Sequence, residues 1–316
     1  MSGEARDDVG SDGADERMTI TGGEVTEGGS GDAIEAGDAA DRSARGALAD
    51  TLDEQDQQAQ RYAMDFFLKV IRLRGVKIDR SAFLRQELGR AGASEEVVAR
   101  AVGATPVQAG VSIKDLDAIA QRSIVFESKK AAAISFATGI PGGLALFATV
   151  PGDVMQYYVH AFRVMQKLAY IYGWQDLLGD MDDADDDTVG RLALLLGVML
   201  GVGGAAGSLT FFANQIARPA VQKQIASKAL TKTAWYPVVK QTLRLVGVKV
   251  TKSSLARTVT KVVPVAGGLL SGGMTLVALK AQAIRLQRHL RELPPPGVDA
   301  AAYLADLRSS DAQPSD

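Results

Sequence analysis

The sequence predicts an all-α protein: a glycine-rich helical bundle with a disordered acidic N-terminal arm and a short disordered C-terminal tail. Three observations carry that reading. Apolar residues recur at helical spacing through the middle of the chain, and candidate caps stand where those runs begin. Sustained polar–apolar alternation is lacking, and the Asn-Gly and Asp-Gly turns of hairpins are few.

Residues 1–46 consist of Gly, Asp, Glu, Ala and Ser with almost no large apolar side chains, too little to offset the entropy of ordering, so they read as a disordered arm. A helical domain spans 47–293. Its first helix, "LADTLDEQDQQAQRYAMDFFLKVIRLRG", sets Leu52, Ala59, Ala63, Phe66, Phe67 and Val70 close to one face. Asp79 is a plausible N-cap for "VKIDRSAFLRQELGR", Ser94 with Glu95 and Glu96 opens another helix, and Pro106 and Gly110 break it. Ser112 caps "IKDLDAIAQRSIVFESKK". The tail from residue 294 to 316 reads as flexible, with one short helix after Pro296.

Three uncharged stretches follow: Ala131–Gly152 and Leu192–Ala213, of 22 residues each, and Val262–Leu279, of 18. Their length suits a bilayer crossing, and their small-xxx-small spacings (Gly197/Gly201, Gly203/Gly207, Gly268/Gly272) suit close approach of helices, in lipid or in a soluble core. Lys129 and Lys130 before the first stretch, with Arg218 and Lys223 after the second, are consistent with a hairpin whose outer ends are cytoplasmic. A buried helical core is the equal rival.

Composition excludes several chemistries. There is no cysteine, so disulfides, thiolate metal sites and cysteine nucleophiles are ruled out. The two histidines, His160 and His289, cannot build a multi-histidine metal site within one chain. No secretory n-region and h-region opens the sequence, which favours the cytoplasm. The formal net charge of −2 conceals an asymmetry: residues 1–56 carry 16 acidic and 4 basic side chains, while residues 214–293 carry 14 Lys or Arg against Glu292 alone. Such a basic half fits an anionic partner.

The motifs narrow the partner. "GIPGGLAL" (139–146) lacks the Gly-Lys-Ser/Thr ending and preceding strand of a phosphate loop, and no other cofactor signature is present. "DMDDADDD" (180–187) has alternating acids but neither the glycine nor the final glutamate of a calcium loop, so it reads as a solvated acidic loop. In "PGDVMQYYVHAFRVMQKLAYIYGW" (151–174), Asp153, Tyr157 and His160 fall on one helical face, the weak candidates for catalysis, although an aspartate after Pro-Gly is more often an N-cap. In residues 232–263, Lys232, Lys240, Arg244, Lys249, Lys252, Arg257 and Lys261 interleave with apolar residues, and Trp235 and Tyr236 stand among them. That pattern fits anionic membrane lipid, whereas no nucleic-acid-binding signature accompanies it.

Four blocks in order, "GVKIDRSAFLRQEL", "TGIPGGLALFATVPGDVMQYYVHAFRVMQKLAYIYGW", "KALTKTAWYPVVK" and "KVVPVAGGLLSGGMT", resemble the EcsC protein family from about Tyr62 to Leu293. The residues at motif positions are Pro141, Gly142, Gly143, Pro151, Asp153, Gln156, Tyr157, Gln166, Lys167, Tyr172, Gly173, Trp174, Pro264, Gly267 and Gly273. The resemblance implies a helical, membrane-associated bacterial protein with no agreed catalytic residues to carry over. The expectation is a non-enzymatic accessory protein on the cytoplasmic side of the inner membrane, peripheral or with a short hairpin, that binds anionic lipid and supports an ABC transporter or envelope process. The alternatives are a membrane-bound hydrolase using Asp153 and His160, and a soluble carrier of an apolar ligand.

Overall fold

A computed structural model describes residues 31–136, 152–175, 186–216, 234–259, 266–295 and 298–312. Among them the chain forms helices and no strand: α1 (Gly31–Ile71), α2 (Arg80–Arg90), α3 (Glu95–Gly103), α4 (Ile113–Phe136), α5 (Gly152–Ile171), α6 (Asp186–Leu200), α7 (Ala205–Ile216), α8 (Tyr236–Val259), α9 (Ala266–Glu292) and α10 (Ala300–Ala312). The all-α class is what the periodicity predicts. The chain divides into two compact units, Met1–Leu52 and Asp53–Asp316. In the first unit, α1 already starts at Gly31, inside the stretch expected to be disordered. Its repeated alanines, the strongest helix formers, explain why low hydrophobicity does not prevent a helix there.

The caps follow the local chemistry. The Asp79 carboxylate accepts from the Ala82 amide at 2.6 Å, and Ser94 accepts from Val97 at 3.4 Å. Ser112 accepts from the Asp115 amide at 3.1 Å while donating to the Asp115 carboxylate at 2.7 Å. Each side chain satisfies an amide that the first helical turn leaves without an intrahelical partner.

The core of the second unit is built on α4, α5 and α9, which pack against one another, with α6 against α5, α8 and α9. The segment Met155–Trp174 is buried along nearly its whole circumference, from Tyr158 and Phe162 to Tyr170, Tyr172 and Trp174. Phe66 and Phe67 of α1 meet Tyr158 and Phe162 edge-on, with centroids 5.2 and 5.0 Å apart. The tail differs from its expected flexibility: α10 packs on α4, and Tyr303 is fully buried, its hydroxyl donating to the Tyr172 carbonyl at 3.3 Å.

The stretch Leu192–Ala213 is not one continuous helix. It breaks at 201–204, where Gly201 and Gly204 adopt φ of +74° and +77°, conformations open to glycine at little cost. Arg285 donates to the Met199 carbonyl at 2.6 Å, a cation on the C-terminal end of α6. The two pieces, of 15 and 12 residues, fall short of the roughly 20 a span requires. Leu192, Leu194, Leu195, Leu196 and Met199 are buried inside the protein. Among the described residues, no helix is long and apolar enough to cross a membrane. The Pro141–Gly143 stretch and Pro151 lie outside them.

The glycines divide by function. A Cβ on Gly197 would stand 2.7 Å from the Thr242 hydroxyl, so α6 and α8 approach closely there, whereas Gly203 and Gly207 face open space. The tightest contact is at Gly247, where a Cβ would fall 2.1 Å from the backbone oxygen of Ala59 on α1. Gly247→Ala is therefore expected to cost about 1–3 kcal/mol in a urea melt, because backbone must move. Gly207→Ala is expected to gain about 0.5–1 kcal/mol from helix propensity. Equal melts for Gly247→Ala and the parent protein would remove the α1–α8 contact from the fold.

Candidate functional site

Glu127 is the residue about which the site is built, and the sequence reading did not single it out. On α4 the buried positions Leu116, Ile119, Ala120, Ser123, Ile124 and Ala131 form one stripe, and Glu127 stands on that stripe at helical spacing. A carboxylate there enters the core. It is fully buried, and three side chains of α5 meet it. His160 Nδ1 lies 2.6 Å from Oε2, Lys167 Nζ lies 2.5 Å from Oε1, and Arg163 Nε lies 3.3 Å from both oxygens.

The spacing 160, 163, 167 is i, i+3, i+7, so one face of α5 presents all three groups. Burial pushes the carboxyl pKa upward. The His160 hydrogen bond, the charge and hydrogen bond of Lys167, and the charge of Arg163 outweigh it and hold the group down at about 2. An ionised acceptor requires the proton on His160 Nδ1. The other ring nitrogen, Nε2, is buried with no hydrogen-bond partner in the structure.

The same face of α5 ties down the α1–α2 connection. Arg163 Nη1 donates to the carbonyl of Gly75, which has φ +83°. The Gln166 carbonyl oxygen accepts from the Ile78 amide at 2.9 Å, and its amide nitrogen donates to the Val76 carbonyl at 2.9 Å. Beyond α5, Gly173 at φ +89° lets the Trp174 amide reach the Ala169 carbonyl at 2.9 Å, closing the helix C-terminus. The Trp174 carbonyl then accepts from Arg80 Nε at 3.1 Å, and the Arg80 guanidinium also caps α3 at Val102 (2.7 Å) and Ala104 (2.8 Å). Tyr172 donates to Asp117 at 2.6 Å, and Asp117 accepts from Arg291 at 3.0 Å, linking α5, α4 and α9.

The expected catalytic trio is not assembled by what is described. His160 has Glu127 as its partner, 33 residues away in sequence. The Tyr157 hydroxyl donates to Gln282, and burial pushes its pKa up to about 12, which leaves it neutral near pH 7. Asp153 stands in the first turn of α5, which begins at Gly152, and its side chain lies outside the described residues. Gln156 is half-buried on the same helix. Among the described residues, no group of three acidic or histidine side chains could hold a metal ion. The acidic stretch 180–185 lies outside them.

Over the Glu127 cluster opens a cleft of about 670 Å³ bounded by α2, α4 and α5. Lys167 sits at its base, with Nζ 4.9 Å from the Phe126 ring centroid and 5.8 Å from that of Phe83. Lys77, Arg90, Arg122 and Arg163 also line it, with Asp79 and Glu87 as the acids.

The basic face expected in the second half is partly in view. Lys240 and Arg244 are exposed on α8 beside Leu245 and Val248, whereas Lys249, nine residues on from Lys240, stands half a turn round the helix. Arg244 pairs with Asp56 at 2.7 Å, and the Lys249 ammonium lies 4.8 Å from the Tyr157 ring centroid. Lys252 and Arg257 continue α8, with their side chains outside the described residues, as are Lys232, Lys261 and Pro264 altogether. Gly267 and Gly273 fall on α9.

Because Glu127 titrates below its ordinary 4.5, its stabilising contribution is complete above that pH. It drains away as pH falls from 4.5 towards 2, by on the order of 3 kcal/mol. Glu127→Gln at pH 7 is expected to lose about 3–5 kcal/mol, since three cation-capable groups lose their buried carboxylate. Urea melts of both proteins at pH 7 and pH 3 check this. A parent protein equally stable at both pH values would overturn the assignment. No protein-family model, curated protein or solved structure matches the chain.

Proposed function

We propose that this is a non-enzymatic, EcsC-like accessory protein of the cytoplasmic face of the inner membrane, which docks on anionic lipid and supports a membrane transporter complex. The exposed side of α8 carries the reading. Two cations (Lys240 and Arg244) accompany two solvent-exposed aliphatic side chains, Leu245 at 47 % and Val248 at 37 % exposure. Cations on such a face draw it to an anionic leaflet, and the aliphatic groups gain by entering the headgroup boundary. The core placement of Leu192–Met199 favours peripheral docking over a hairpin.

The hydrolase alternative draws less support. His160 is committed to Glu127, and its remaining nitrogen has no route to a substrate in this conformation.

Cosedimentation with phosphatidylglycerol–phosphatidylcholine vesicles tests the proposal. At low salt, Lys240→Gln with Arg244→Gln should weaken binding by about thirtyfold, at about 1 kcal/mol per cation. Pure phosphatidylcholine vesicles should bind neither protein. Undiminished binding by the double variant would sink the α8 face as the lipid contact.

A further inference from the structure

The cleft over Glu127 is lined by more cations than carboxylates. Five cationic side chains (Lys77, Arg90, Arg122, Arg163 and Lys167) border it. Three carboxylates answer them: Asp79 and Glu87 in the lining, and Glu127 beneath. Each is committed to a local task. Asp79 caps α2, Glu87 holds Arg90 at 2.9 Å, and Glu127 binds the α5 trio. Arg122 lies 3.9 Å from Glu87, a longer pair than the 2.9 Å of Arg90, and is 47 % exposed. Its planar fork can turn from Glu87 to a ligand oxygen at small cost.

Two phenyl rings, Phe83 and Phe126, stand among these side chains. Phe126 leaves 48 % of its surface to solvent while Lys130 and Lys167 each hold their ammonium 4.9 Å from its ring centroid. An exposed phenylalanine beside a basic cleft provides apolar contact adjacent to the charge. The volume of about 670 Å³ suits a small molecule.

We propose that this cleft binds a phosphate monoester whose organic part carries an aromatic or apolar group. A lining with more cations than carboxylates suits a monoester, which bears about −1.5 to −2 near pH 7. The phosphate engages Arg122, and the organic group lies along Phe126, one helical turn further on α4. The ester is either a soluble metabolite or the headgroup of a membrane lipid, since both present the same dianion. The cleft shares no side chain with the exposed side of α8, so the proposal is independent of the lipid-docking reading.

Calorimetry on the full chain with phenyl phosphate and with inorganic phosphate tests it, alongside cosedimentation with phosphatidylcholine vesicles containing phosphatidic acid. Phenyl phosphate should bind saturably and more tightly than inorganic phosphate. Arg122→Ala should weaken both about tenfold, the loss of one charge-assisted contact. Phe126→Ala should weaken phenyl phosphate alone. Arg122 and Phe126 are about half exposed, and unchanged helical circular dichroism confirms that those variants fold. Vesicle binding that depends on Arg122, without binding of either soluble probe, supports the proposal and identifies the ester as membrane-borne. Absence of Arg122-dependent binding to all three probes overturns it. The α8 double variant should retain phenyl phosphate binding, which separates this failure from that of the docking reading.

Discussion

The Glu127 carboxylate, carried by α4 into a dry interior, is the constraint on which the second unit depends. Removing an ion from water costs several kcal/mol, and one opposite charge seldom recovers that. Here a fully buried acid is answered by an imidazole N–H, an ammonium and a guanidinium from a single helix face. The arrangement works only if α4 and α5 keep one register. A slip of one residue would rotate the donors away by about 100° and strand the acid. Buried charge of this kind selects a structure by penalising the alternatives.

From that register the surroundings follow. Arg163, already turned to Glu127, reaches the Gly75 carbonyl, and Gln166 one turn on reads both polarities of the adjoining backbone. The α1–α2 connection is thus held by side chains of the buried helix. The α5 C-terminus, closed by Gly173, presents the Trp174 carbonyl to Arg80, whose guanidinium also satisfies the last carbonyls of α3. Substituting Gly173 would strain a positive φ and press a Cβ to 2.8 Å from Thr105. The residues around Tyr172–Trp174 are accounted for by helix termination and packing, with no catalytic role required.

Both proposed functions rest on the distribution of charge. The acidic arm and the basic second half almost cancel in the total of −2. The fold keeps two cationic regions separate: one mixes cations with aliphatic side chains on α8, the other lines a cleft with cations and phenyl rings. The proposed assignments follow from what accompanies the cations in each place: exposed aliphatic side chains on α8, phenyl rings in the cleft.

The helical class and the caps of α2, α3 and α4 were legible because their causes are local. An N-cap joins residues three apart, as at Asp79 with Ala82, and apolar spacing needs only a turn or two. The chemical richness of residues 151–174 was legible too, but His160 was set beside Asp153 because sequence reading joins neighbours on one helix. Its observed partner is 33 residues away, and the signal for it was a lone acid on the apolar stripe of α4. Average hydropathy likewise fused α6 and α7 into one stretch, although the break depends on positive φ at Gly201 and Gly204. Composition assigned the tail to solvent, yet Tyr303 is buried. By itself the sequence determined which segments coil and where those coils begin, since backbone hydrogen bonds close within a few residues. Only the tertiary structure decided which charges meet, which glycines touch and which cations remain outside, because those depend on register between helices far apart in the chain.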